Sequence, residues 1–338
     1  MSLLPKITNF YDVILKDHHQ QVAIKSVEDI KKTKVSYDQR LINENWTFDT
    51  KPRDPETGNE IAINNDFVIK YLILERKLSA YKGMDLWAYV ADFVNKRDFT
   101  KILSIGSGPC AVEMDIASHF KSGYQIDCID LNEKLIRDAT TRAKKNNLNL
   151  NPVVADINDM QFDEDYDLVM AVASLHHFIA LEKIFRNINR ALKPEGEFVV
   201  YEPVCRSGMF LYRAQRIFLG FLFLLLPKRF RINHQDYPGE KKIDRFFNEY
   251  DRSGWTFECI RSGEIPSILK HFFRIKHWGR GMTFLRRVSD SIYGPNYHTD
   301  KRQDRLLMSL LCWTDRFLRF FHILPVEGLF FIGKKKHI

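Results

Sequence analysis

Between residues 101 and 203 short apolar runs alternate with amphipathic stretches, and this alternation constrains the fold more than any other feature of the 338-residue chain. Strands covered on both faces read as nearly unbroken apolar runs, whereas the segments crossing between them bury one helical stripe. Strands are expected at 101–105, 125–130, 152–155, 168–171 and 197–201, with helices at 112–120, 132–146 and 181–192. Parallel strands joined by right-handed helical crossovers make an open, doubly wound α/β sheet. Such sheets bind ligands beyond the carboxyl ends of their strands, so the residues to watch are those at strand ends.

The flanks are less regular. Residues 49–65 are rich in turn formers and are expected to be a loop, with helices over 66–81 and 85–95. After residue 203, strands are expected at 255–261 and 328–333, separated by helical, aromatic and basic sequence that includes a helix over 304–320. The expected division is an N-terminal helical region (1–83), a sheet core (84–203), a helical and aromatic region on the substrate side (204–325), and a last strand with a basic tail (326–338).

Charge follows the same division. The chain carries a net +8, but residues 204–338 hold 25 Lys+Arg against 12 Asp+Glu, which leaves the first part mildly acidic. A basic second part points to a partner or surface of opposite charge. The five cysteines (Cys110, Cys128, Cys205, Cys259 and Cys312) form no C-x-x-C pair, so a reduced, cytoplasmic protein without a metal site is expected. The first residues lack the pattern of a signal peptide.

The apolar run 217–226 is too short to span a bilayer. Followed by Lys228, Arg229 and Arg231, it suits peripheral membrane contact over 217–231; it equally suits a buried helix or a lid. Aromatics such as Phe210, Tyr212, Phe246, Phe247, Trp255, Phe272, Phe273 and Trp278 are interleaved with cations. That composition can stack nucleic-acid bases, but no RNA-binding signature accompanies it, so a lid or core is expected and nucleic acid is not.

The first strand runs into Gly106-Ser107-Gly108-Pro109-Cys110-Ala111. Glycines at 106 and 108 let the chain turn sharply and let a ligand approach main-chain N–H groups. The turn also satisfies the dinucleotide pattern G-x-G-x-x-G/A, so an NAD(P)-binding oxidoreductase is one reading. Asp130, at the tip of the second strand, is placed to accept hydrogen bonds from ribose hydroxyls of either cofactor, or to cap the helix that follows.

Further marks follow in order: LSIGSGPC, IDL, VVADIND, YDLVMAVASLHHF and LKPEGEFVVYEP. Over about 101–203 they resemble the class I S-adenosylmethionine-dependent methyltransferases, and PVEGLFFIGKKK resembles the last strand of that Rossmann-like fold, preceded by a helical insertion. Two departures stand out: Cys110 replaces the usual third glycine, and Pro194-Glu195-Gly196 replaces proline-glycine-glycine.

The resemblance implies S-adenosyl-L-methionine as cofactor. Gly106, Ser107 and Gly108 would line its amino-acid end, Asp130 would hold the ribose, and Asp156 would accept from the adenine amino group. Leu131 and Ile157 would sandwich the ring, and Ala173 would lie near the sulfur. Methyl transfer needs alignment and exclusion of water; a hydroxyl acceptor also needs a base. The groups near strand ends are His176, His177 and Glu202, with His177 and Glu202 preferred, although the histidines could equally be packed or solvated. The expected activity is methylation of an O, N or C atom on a small-molecule or lipid-like acceptor. The alternatives are the oxidoreductase and a non-catalytic adaptor that uses its basic part against membrane or nucleic acid.

Overall fold

A computed structural model describes residues 24–51, 53–58, 77–78, 83–121, 123–162, 166–234, 242–247, 249, 253–290 and 292–336. Its centre is a seven-stranded sheet of β1 (Thr100–Ile105), β2 (Tyr124–Asp130), β3 (Leu150–Val154), β4 (Tyr166–Val172), β5 (Leu192–Pro203), β6 (Phe273–Arg280) and β7 (Gly328–Lys335). The order across the sheet is β3-β2-β1-β4-β5-β7-β6. The first five strands pair in parallel, and β7 runs antiparallel to both β5 and β6. Strand order reverses between β1 and β4, which opens a crevice at their carboxyl ends.

The principal helices are α1 (Tyr37–Asp49), α2 (Leu86–Asn95), α3 (Ala111–Ala117), α4 (Glu133–Lys145), α5 (Leu181–Ala191), α6 (Arg213–Leu225), α7 (Ile265–Phe272) and α8 (Arg302–Phe320). On one face of the sheet α2, α3 and α4 bury Val90, Met114 and Ala139 against Ile102 and Leu168. On the other, α5 and α7 pack on Leu103 and Val169. The α5 stripe of Leu181, Ile184, Phe185 and Ile188 follows helical spacing and is buried throughout. Phe185 meets Phe198, Phe272 and Phe273 edge-on, so Phe185→Ala would cost about 3–5 kcal/mol. Caps fix the helix starts: Asp85 accepts from the Trp87 N–H at 2.9 Å, and Asn132 from the Leu135 N–H at 2.9 Å.

The sheet core agrees with the sequence pattern to within a few residues at each strand end; β5 is the exception, beginning five residues earlier than expected. Other expectations need correction. Residues 255–261 form turns instead of a strand, because their backbone donors are taken by groups outside any sheet: Phe257 N–H donates to Glu44 Oε2 at 3.1 Å, and Ile260 N–H to the His176 carbonyl at 3.1 Å. The strand that completes the sheet on this side is β6, where cations at Arg274, Lys276 and Arg280 hide the strand pattern. It is an edge strand, and Lys276 reaches the buried Glu197 of β5 at 2.5 Å.

The 217–226 run lies mostly within α6, which buries Leu219 and Phe223 and exposes Phe221, Leu224 and Leu225. With α8 and residues 282–297 it makes a separate small core. Among the described residues no helix is long and apolar enough to cross a membrane. The expected helix over 66–81 and the start of the chain lie outside the described residues, apart from the backbone of 77–78.

Candidate active site

A cavity of about 460 Å³ opens at the carboxyl ends of β1, β2 and β4, within the ~300–1,000 Å³ common for small-molecule sites. Gly106, Ser107, Gly108, Asp130, Leu131, Ile157, Ala173 and His177 all line it. Seven of the eight residues expected to hold cofactor thus meet in one place, together with one of the three expected to handle protons.

The glycine turn is built for close approach. Gly106 has φ +64°, and a Cβ there would sit 2.5 Å from Ser174 Cβ. Gly108 has φ +51°, and a Cβ there would meet no protein atom within 4 Å. The first glycine is therefore required by the protein's own packing, and the second leaves room on the cavity side. Cys110, at the position of the missing third glycine, also adopts a left-handed backbone (φ +53°), as does Ala173 (φ +50°) at the end of β4. Non-glycine residues are uncommon in this conformation, and both sit beside the crevice.

Asp130 ends β2. Its Oδ2 accepts from the Gly108 N–H at 2.8 Å and its Oδ1 from the Asn132 N–H at 2.9 Å. Burial pushes its carboxyl above the ordinary value, with the two N–H groups opposing. Each oxygen keeps lone-pair capacity for a ligand hydroxyl. Asp156, in contrast, is absent from the cavity wall. Its Oδ2 takes the Tyr37 hydroxyl of α1, and its Oδ1 takes the Asn158 N–H at 2.9 Å.

The three proton-handling residues separate clearly. Glu202 is fully buried and binds the loop after β4, accepting from the N–H groups of Ser174 (3.0 Å), Leu175 (3.1 Å) and His176 (3.1 Å). It also contacts His176 Nδ1. Neither Glu202 nor the buried His176 reaches the cavity. His177 does. Its Nδ1 lies 2.5 Å from Glu44 Oε1, and its Nε2 3.6 Å from Glu258. Burial alone would lower its pKa, but the carboxylates of Glu44, Glu258 and Glu202 outweigh that and raise it to about 9. At neutral pH the ring is an imidazolium paired with Glu44.

Two acidic residues of the cavity wall escaped sequence reasoning. Glu44 comes from α1, whose inward face is polar, so hydrophobic periodicity gives no signal for it. Glu113, in α3, is buried beside the glycine turn and accepts from Ser104 Oγ at 2.6 Å. Burial pushes its carboxyl up to about 7, with Ser104 opposing. A glutamate in the first turn of an apolar helix after G-x-G was the available signal. Behind the cavity, donor atoms of His176, Glu258 and Cys259 lie within 4.8 Å of one another and could hold a divalent cation, although Cys259 Sγ and Glu258 already pair at 3.5 Å.

Residues 102–196 match a family model described as a methyltransferase domain. Residues 102–196 carry a class I S-adenosylmethionine-dependent methyltransferase domain. Its cofactor is S-adenosylmethionine. A ubiquinone biosynthesis O-methyltransferase of Rickettsia akari is 27% identical over 100 residues, covering 30% of this chain and 39% of that protein. A sterol 24-C-methyltransferase of Gibberella zeae is 34% identical over 117 residues, covering 34% of this chain and 30% of that protein. The chain thus spans well under half the length of these curated relatives. A putative sarcosine dimethylglycine methyltransferase from Galdieria sulphuraria shares 13% identity with a TM-score of 0.48, covering 88% of this chain and 98% of that one.

The site of the methyltransferase domain fits this cofactor on its own geometry. The wall beside Gly108 is open, Asp130 presents a carboxylate, and Leu131, Leu135, Ala155 and Ile157 make part of the wall apolar.

Proposed function

We propose that the chain methylates a hydroxyl of an apolar, lipid-like small molecule, with His177 accepting the hydroxyl proton. The observation that carries this reading is the His177–Glu44 pair on the wall of the same cavity as the glycine turn. Gly106, Ser107 and Gly108 would hold the amino-acid end of the cofactor, Asp130 its ribose, and Leu131 and Ile157 its ring, with Ala173 near the sulfur. The bound cofactor supplies an activated methyl group; the protein's work is alignment, dryness and one proton transfer.

Each part has a residue. Phe48 and Phe178 on the wall exclude water, and Phe48 lies 5.8 Å from the His177 ring, ring centre to ring centre. The neutral fraction of the His177 ring, a minority at pH 7 that grows as pH approaches 9, takes the acceptor's proton, and Glu44 stabilises the imidazolium that results. Glu202 acts at one remove: by gathering three N–H groups it sets the loop that carries His177. Asp156 positions α1 through Tyr37, and α1 in turn brings Glu44. The lipid-like acceptor is favoured by the apolar wall and by the names of two relatives, one of ubiquinone biosynthesis and one a sterol methyltransferase.

Calorimetric titration tests the first step. S-adenosylhomocysteine should bind and NAD should not; binding of NAD alone would restore the oxidoreductase reading. Transfer of labelled methyl to hydroxylated quinone precursors or sterols, with the product analysed for O- or C-methylation, tests the second. A product methylated only on carbon would remove His177 from the role of hydroxyl base.

A further inference from the structure

Helix α8 carries two stripes of identical spacing on different faces. Asp304, Met308, Leu311, Asp315 and Leu318 face inward and are buried. Leu306, Leu310, Trp313, Phe317 and Phe320 repeat the same intervals two positions later, about 200° around the helix, and are 41% to 75% exposed. The outward stripe is the more apolar of the two. It runs about 21 Å along the helix, and its rings adjoin: Trp313 and Phe317 stack at 5.6 Å, and Phe317 meets Phe321 at 4.7 Å. Exposed apolar surface that is continuous over this length marks an interaction site.

Charge identifies the partner. Arg302, Arg305, Arg316 and Arg319 lie along one edge between the stripes by their spacing. Both carboxylates of the helix are turned inward and occupied: Asp304 pairs with Arg229 at 2.6 Å, and Asp315 accepts from the Thr283 and Phe284 N–H groups at 2.9 Å. The outer part of α8 therefore presents arginines and aromatics without an acid. We propose that this face docks in the plane of an anionic lipid bilayer, with the aromatic stripe among the acyl chain ends and the arginine edge at the headgroups. A second copy packed antiparallel through this stripe would set arginine edge beside arginine edge, whereas anionic headgroups supply the opposite charge. The surface is distinct from the 217–231 segment and stands independently of the acceptor proposed above.

Cosedimentation of the full chain with vesicles tests this. Phosphatidylcholine vesicles containing phosphatidylserine should pellet the protein, pure phosphatidylcholine far less, and added salt should weaken the effect. The variant Leu310→Ser/Trp313→Ser/Phe317→Ser alters only exposed or partly exposed positions. It should keep the melting temperature and circular dichroism of the parent while losing vesicle affinity by at least about tenfold. Unchanged pelleting of the variant overturns the proposal. So does a wild-type protein that pellets with neither vesicle, or one whose stripe proves in analytical ultracentrifugation to hold a dimer that does not bind vesicles.

Discussion

Replacing Glu44 by glutamine tests the charge state on which the proton transfer depends. Glutamine keeps the size of the side chain and an oxygen for the Phe257 N–H that Glu44 accepts at 3.1 Å, so α1 should stay docked. What disappears is the carboxylate 2.5 Å from His177 Nδ1, the largest of the influences that lift the ring from 6.5 to about 9. Glu258 remains 3.6 Å from Nε2, and burial continues to favour the neutral ring. The His177 pKa should therefore fall by about one to two units, at ~1.4 kcal/mol per unit. Imidazole NMR, with the resonance assigned by its loss in His177→Gln, reads this directly and needs no acceptor. Stability gives an independent check. A pKa raised by folding adds stability that is complete below ~6.5 and is lost as pH rises through about 9. Urea unfolding of the parent should weaken over that window by at most ~3.4 kcal/mol, and the variant should show a smaller decline. A parent midpoint near 6.5, or the same midpoint in both proteins, would refute the pairing and with it the assigned base.

Three further substitutions separate cofactor binding from architecture. Gly108→Ala should leave folding nearly intact, at a cost of about 1 kcal/mol for the left-handed backbone, yet weaken S-adenosylhomocysteine in calorimetry, because its methyl projects where no protein atom lies within 4 Å. Gly106→Ala should instead lower the melting temperature outright, since its Cβ would collide with Ser174 Cβ at 2.5 Å. Glu202→Gln should destabilise the protein by about 3 kcal/mol in denaturant titration, because three N–H groups lose a charged acceptor in a buried site. An enzyme whose stability is untouched by that change but whose activity is lost would return Glu202 to the chemistry.

The sheet was legible because strands buried on both faces leave an unmistakable pattern of short apolar runs, and because glycines at 106 and 108 serve a backbone need visible in sequence. What stayed hidden was hidden for physical reasons. Helix α1 buries Arg40 and Glu44 and leaves Ile42 and Trp46 more than 60% exposed, so its hydrophobic pattern points to the wrong face. Arg40 is held by the carbonyls of Ser253 and Thr256, partners more than 200 residues away that no local pattern reveals. Glu202 looked like a base because sequence shows a carboxylate at a strand end but not the three N–H groups converging on it. The sequence favoured His177 over His176 without showing the reason, which is that one faces the core and the other the cavity.

Helix α8 shows how polar groups, rather than apolar area, can decide orientation. Turning the helix to bury its outer stripe would cover five large apolar side chains instead of the three now inside, a gain of roughly 3–6 kcal/mol. It would also strip Asp315 from the N–H groups of Thr283, Phe284 and Leu285 and from the Thr283 hydroxyl, all within 3.1 Å. Four buried donors left unpaired cost about 1–3 kcal/mol each, before the Asp304–Arg229 pair is counted. The polar cost exceeds the apolar gain, so the acids fix the inward face and the aromatic stripe is held outside. A chain that retains such a stripe against the hydrophobic effect has a use for it on the surface, and the arginines beside it say which surface that is.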